Sequence, residues 1–173
     1  MLEMSIKTIA VPSELKHSYL LHEKNICLSI EEQEKFNPSK LFIYDAAFYA
    51  GELTLKPWQD HAEAISALLI EWSALQKQLQ ESFKNRDLPG AKEPMKKGIG
   101  IFIELMHWTN GSPVRLSPQI SFEHLSIKPV NVRERLDFIL GRPVFYPSYI
   151  QLTELMLEME KLYKKSIAMK KSV

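Results

Sequence analysis

The chain has 173 residues, a mass of 20.0 kDa and a formal net charge of +1, with 45% apolar and 25% charged residues. That composition excludes a disordered or fibrous chain, and the length suits one domain able to bury a sizeable core. One cysteine, Cys27, excludes an intrachain disulfide framework and a Cys-rich zinc module.

Charge is unevenly spread. Residues 1–90 hold 9 basic and 13 acidic groups, whereas residues 91–173 hold 13 and 8. The second half therefore either carries a face for a polyanion or is ordinary solvated surface. The N-terminal segment contains Glu3 and Lys7 and lacks the apolar core of a secretory signal. No apolar run is long enough to span a bilayer, so a cytoplasmic protein without membrane contact is expected.

Helix signals dominate, and prolines mark where they start. Pro12 opens a first short helix through Leu15, Tyr19 and Leu20. Ser29 and Glu32 have capping-box spacing ahead of a short turn. Asn37-Pro38 precedes Leu41, Phe42, Asp45, Phe48 and Tyr49, and Gly51 suits a left-handed stop. Pro57 opens the longest helix, reaching about Arg86, with Trp58, Ala62, Ile65, Leu69, Trp72, Leu75, Leu79 and Phe83 as its apolar stripe. Gln76, Lys77, Gln80, Glu81 and Lys84 take its wet side, and Asp87-Leu-Pro-Gly90 ends it by turn chemistry.

Pro94 then starts a helix apolar on nearly all sides, from Met95 to Trp108, which predicts a central element. Its β-branched run Ile101–Ile103 keeps a strand open as the alternative. Asn110-Gly111 closes it, and residues 112–130, with Pro113, Pro118 and Pro129, read as an irregular connector. Asn131 caps a short helix to about Leu140, and Pro147 opens a last helix with the stripe Tyr149, Leu152, Met156, Met159 and Tyr163. The expected fold is all-α: a single helical domain over 1–173, a bundle of five to seven helices, with 166–173 a frayed basic tail.

No motif names a reaction. Glu-x-x-His occurs twice, at Glu14/His17 and Glu104/His107, a spacing that places two metal ligands on one helical face. A metal-dependent bundle enzyme built on these four is one alternative, although two matches are close to chance in so Glu-rich a chain. Lys96-Lys97-Gly98-Ile99-Gly100 could cradle an anion, but its glycines fall inside a helix and favour close helix packing instead. Cys27 reads as a small buried hydrophobe and His61 as a hydrogen-bonded core histidine, while His124 has no evident partner. No cofactor is implied, and enzymatic activity is not the expectation.

Two surface features point elsewhere. Arg135, Phe138 and Arg142 share one edge of the 131–140 helix, with Tyr146 and Tyr149 following, and Arg and Tyr are the residues that anchor interfaces. With Arg115 and Arg133 they make a candidate surface for a protein partner. Lys161, Lys164, Lys165, Lys170 and Lys171 either bind nucleic acid through phosphates or complement a helix dipole.

The stretch Asn131–Pro143, the segment Tyr146–Leu155 and Trp108–Val114 together resemble the YpoC-like proteins over residues 94–165. The resemblance implies a cytoplasmic protein of Bacillus-type Gram-positive bacteria in a setting of DNA replication and repair. It brings no catalytic residues to carry over. The expectation is a non-enzymatic helical interaction or accessory protein, with a nucleic-acid-binding accessory factor as the alternative.

Overall fold

The structure is a computed structural model and describes residues 5–172. Glu3 and the last residue of the basic tail lie outside that range. Among the described residues, six α-helices follow a small two-stranded sheet, so the fold is mainly helical rather than all-α.

The helix expected after Pro12 is reduced to one turn in the loop between two strands. Strand β1 (Ile6–Ala10) pairs antiparallel with β2 (Asn25–Ser29), from Ile6 opposite Ser29 to Ala10 opposite Asn25. Between them Pro12 leads into a single 3-10 turn, Ser13–Leu15. Ile26 and Leu28 alternate inward along β2, a period of two that a helical reading overlooks. Cys27 takes the intervening outward position and is exposed, not buried.

The capping box is realised at helix α1 (Ile30–Glu34). Ser29 Oγ accepts from Glu32 N at 3.1 Å, and Glu32 Oε2 accepts from Ser29 N at 2.9 Å. Helix α2 (Ile43–Tyr49) starts six residues beyond Asn37 because Phe42 sits in left-handed geometry at its N-cap. Gly51, at φ 76°, supplies the expected left-handed stop.

Helix α3 (His61–Lys84) is followed directly by α4 (Leu88–Thr109). The segment expected as a turn therefore opens α4. Asp87 is its N-cap, accepting from Gly90 N at 2.9 Å, and Pro89 occupies the first turn, where a missing N–H costs nothing. Pro94 lies inside α4 rather than at its start. From Gly98 to Thr109 every residue of α4 is buried, so the central position expected for this segment holds and the strand alternative does not.

The connector 112–130 is irregular and turns Val114, Leu116, Ile120, Phe122 and Leu125 into the core. Helices α5 (Val132–Gly141) and α6 (Tyr146–Lys171) complete the chain. Asn131 precedes α5 in left-handed geometry and makes no side-chain cap, unlike the cap expected of it. Helix α4 is sandwiched: α3 packs along one side, α6 along another, and α5 packs on α6.

Candidate functional site

Glycine at the middle of α4 sets the depth of the bundle. A Cβ at Gly98 would stand 2.6 Å from the Trp72 ring of α3 and 3.1 Å from Leu152 of α6. Its absence lets both helices seat close to α4, which answers the Gly98 reading in favour of packing. Gly100 does the same beneath Leu41.

Helix α6 runs antiparallel to α3 across this floor. The His61 ring lies 5.5 Å from that of Tyr163, and at the other end Phe83 lies 5.5 Å from Tyr146 and 5.3 Å from Tyr149. Phe83 stacks on Tyr149 at 26° while Tyr146 presents an edge to Phe83 at 67°. Above these rings opens a groove of about 530 Å³. Gln76, Gln80 and Lys84 form the α3 wall; Tyr146, Ile150 and Thr153 form the α6 wall.

The groove's chemistry suits holding rather than reacting. Its floor is aromatic, and its walls carry two amides, a phenol and one ammonium, with no carboxylate, imidazole or thiol. Thr153 Oγ1 is already committed, donating to Tyr149 O at 3.0 Å. Tyr146 is 55% exposed, whereas Tyr149 is buried beneath it.

The surface expected around 131–149 is thus divided. Arg135 turns inward across α6: Nε donates to Gln151 Oε1 at 3.0 Å, and Nη1 and Nη2 each meet Glu158 at 2.9 Å. Arg133 donates to Ile120 O at 2.7 Å, pairs with Glu123 and lies 4.7 Å over Phe122, tying α5 to the connector. Arg115 Nε donates to Ser117 O at 3.2 Å. Arg142 rests on Phe145 at 4.1 Å and Phe138 is exposed. Of that set, Tyr146 and Tyr149 reach the groove. Sequence reasoning missed their companions Phe83, Gln76, Gln80 and Ile150. The available signal was Phe83 on the α3 stripe with glutamines one and two turns before it.

The lysines do not gather into one site. Lys161, Lys164, Lys165, Lys170 and Lys171 are exposed along the end of α6, Lys164 pairs with Glu160 at 2.9 Å, and the helix continues to Lys171. Burial, with the charge of Lys170, lowers the His61 pKa; His61 Nδ1 has no partner and its ring meets Tyr163 edge-on, so the expected hydrogen bond there is missing. His124 Nδ1 pairs with Ser121 Oγ at 3.1 Å.

Of the two Glu-x-x-His pairs only Glu104 and His107 share a helix; Glu14 lies in the 3-10 turn and His17 beyond it. Among the described residues no three His, Cys, Asp or Glu side chains converge as metal ligands would. His17 Nδ1 accepts from the backbone N–H groups of Tyr19 and Leu20. Both ring nitrogens of His107 face carbonyls, Ile103 O at 2.8 Å and Ser121 O at 2.9 Å, and burial holds its pKa down to about 4. Two buried carboxyls lie beside this region. Asp45 Oδ1 accepts from Val114 N at 2.6 Å and Trp108 Nε1 at 3.1 Å, while Asp45 Oδ2 and Glu104 Oε1 have no partner. Burial raises the Asp45 pKa to about 6 and, with the charge of Asp45, raises Glu104 well above the usual carboxylate range.

Comparison with known proteins adds a family. The family model described as YpoC-like protein matches residues 62–171, which takes the match N-terminally into α3 and includes the whole groove. A protein of Bacillus subtilis (strain 168) named "Uncharacterized protein YpoC" is 34% identical over 115 residues, 65% of this chain and 70% of its own length. No solved structure matches. Among the described residues no helix is long and apolar enough to cross a membrane.

Proposed function

The chain belongs to the YpoC-like family, and from that premise and the α3–α6 groove we propose that it is a non-enzymatic accessory protein that docks a protein partner. One observation carries this reading: a groove floored by packed aromatic rings, with exposed Tyr146 and Ile150 on its rim. Binding energy at interfaces concentrates in aromatic anchors seated in pockets, and this groove supplies both the anchor and the pocket.

A nucleic-acid partner is the weaker reading. A strand needs several cations tracking its backbone, whereas the groove walls hold Lys84 alone and the α6 lysines spread along a helix end. The partner surface accordingly shifts from Arg115, Arg133 and Arg135, which are bonded within the protein, to the groove, with Arg142 and Phe138 outside it.

A photo-crosslinking amino acid placed at Gln80, in living cells of the source bacterium, tests the proposal. One protein adduct that disappears with Tyr146→Asp is the expected result. The same adducts from a crosslinker placed at Lys165, or none at Gln80 above background, would sink the docking role of the groove.

A further inference from the structure

On the reading that the α3–α6 groove docks a protein, we infer that its occupant is a short amphipathic helix with an acidic end, seated against Lys84. Its length follows from the α6 wall. Tyr146, Ile150 and Thr153 line the groove and Leu157 continues their stripe past it at i+11; Tyr146, Ile150 and Leu157 are 55%, 38% and 52% exposed. Eleven helical residues rise about 16 Å, so the stripe accommodates about three turns. Opposite it, Gln80, Gln76 and Ser73 step along α3 at the same spacing. The ion pair Glu160–Lys164 closes the far end on α6.

Hydrogen bonding selects a helix over an extended segment. Both walls are helices whose backbone groups already bond one another, so an extended peptide finds no sheet edge to join. It would rely on Gln76, Gln80 and Tyr146 for every backbone group it buries. A helix satisfies its own backbone and offers ridges that fit between two antiparallel helices.

Charge selects the end. Lys84 is the one ionisable side chain other than the tyrosines in the lining, and among the described residues it pairs with no carboxylate. The C-terminus of α3 and the N-terminus of α6 meet there, so their opposite dipoles offset and the full charge of Lys84 remains. The first turn of α6 contains no acidic residue to neutralise it. A partner carboxylate at this end meets an exposed charge in the same lining as Phe83 and Tyr146. The groove lining itself carries no carboxylate, so a second copy docked with the two lysine ends together would set Lys84 against Lys84.

The test selects helix-biased peptides of sixteen residues, displayed as a random library, on the intact protein and against Tyr146→Asp. Expected sequences carry apolar residues at i, i+4 and i+7 with Asp or Glu clustered at one end. Synthetic versions should lose at least tenfold in affinity with Lys84→Glu, and an acid-to-lysine exchange in the peptide should restore binding to that variant. Gln80→Glu, on an exposed wall, should weaken the acidic peptides in the same direction. Recovery of proline-rich or basic peptides, or indifference to Lys84 and Gln80, overturns the acidic helix while leaving a docking groove in place. A concentration-dependent dimer abolished by Tyr146→Asp overturns it in favour of a second copy, and selection of no peptide that discriminates Tyr146→Asp overturns it outright. A Gln80 crosslink in cells separates that last outcome from failure of the docking reading itself.

Discussion

Replacing Asp45 with asparagine removes a buried charge without removing its contacts. The asparagine side chain would keep an oxygen to accept from Val114 N and Trp108 Nε1, the two bonds that hold the connector and α4 to α2. Its amide nitrogen would occupy the place of Oδ2, which has no partner now. The cost being removed follows from proton linkage. The Asp45 pKa rises from 3.8 unfolded to about 6 folded, mainly through burial. At about 1.4 kcal/mol per unit, the ionised side chain costs the fold about 3 kcal/mol above pH 6. The sign is that of a raised acid: between pH 3.8 and 6 the folded state binds more protons than the unfolded chain, so stability falls as pH rises through this window. Below it the carboxyl is neutral in both states and the penalty is absent.

Urea titrations of the wild type and Asp45→Asn at pH 4, 5, 6 and 7 measure this directly. The difference in stability should be near zero at pH 4 and should grow to about 2–3 kcal/mol in favour of the variant by pH 7. His107 contributes a slope of opposite sign, because its pKa is lowered from 6.5 to about 4 and folding is favoured as pH rises between those values. That slope is common to both proteins and cancels in the difference. Glu104, beside Asp45, adds a slope of the same sign as Asp45 and would lose part of its own elevation when the neighbouring charge goes. A variant less stable than wild type at pH 7 with an unchanged m-value, or a difference that does not move with pH, would refute the reasoning.

Gly98→Ala should destabilise by about 1–3 kcal/mol, because the new methyl meets the Trp72 ring; thermal unfolding checks the loss, and fluorescence in a background with Trp58 and Trp108 replaced by Phe checks its place. Arg135→Ala should cost about 1–2 kcal/mol by freeing Glu158, Gln151 and Val130 O, and hydrogen exchange should show α5 opening before α4. Asp87→Ala should cost about 1 kcal/mol through the lost cap on α4, with Asp87→Asn nearly neutral in the same chemical denaturation assay.

Local chemistry was legible where it completes itself within a few residues. The Ser29–Glu32 box, the left-handed Gly51, the close of α4 before Asn110-Gly111, and Pro147 in the first turn of α6 all stand as the sequence implies. The helical stripe of α3 survives with small shifts: Leu68 rather than Leu69 is fully buried, and Ala62 is exposed. Punctuation misled where one residue serves two purposes. Asp87, Pro89 and Gly90 suit a turn and equally suit a helix start, and two long helices meeting there decide for the latter. The N-terminal strands show the complementary weakness. Only β2 alternates, and over five residues, too briefly to stand out beside the helix signals, so pairing across fourteen intervening residues decides both strands.

The groove was hidden for a different reason. Whether an arginine serves a partner or its own fold depends on the rotation of α5 about its axis. Arg135 and Arg142 are seven residues apart, the spacing of one helical edge, but α5 ends at Gly141 and Arg142 leaves it in non-helical geometry, so one grips Glu158 of α6 and the other lies on Phe145. Phe83 and Tyr146 are 63 positions apart, and the depth at which α3 and α6 seat over Gly98 brings them into contact. Removing that glycine therefore acts on the docking surface as well as on stability. Raised by the bulk of an alanine, Trp72 and Leu152 would spread the two walls and loosen the Phe83–Tyr149 stack. Peptide affinity for Gly98→Ala should then fall even at temperatures where the variant is fully folded, while Arg135→Ala, which acts on another side of α6, should leave it unchanged.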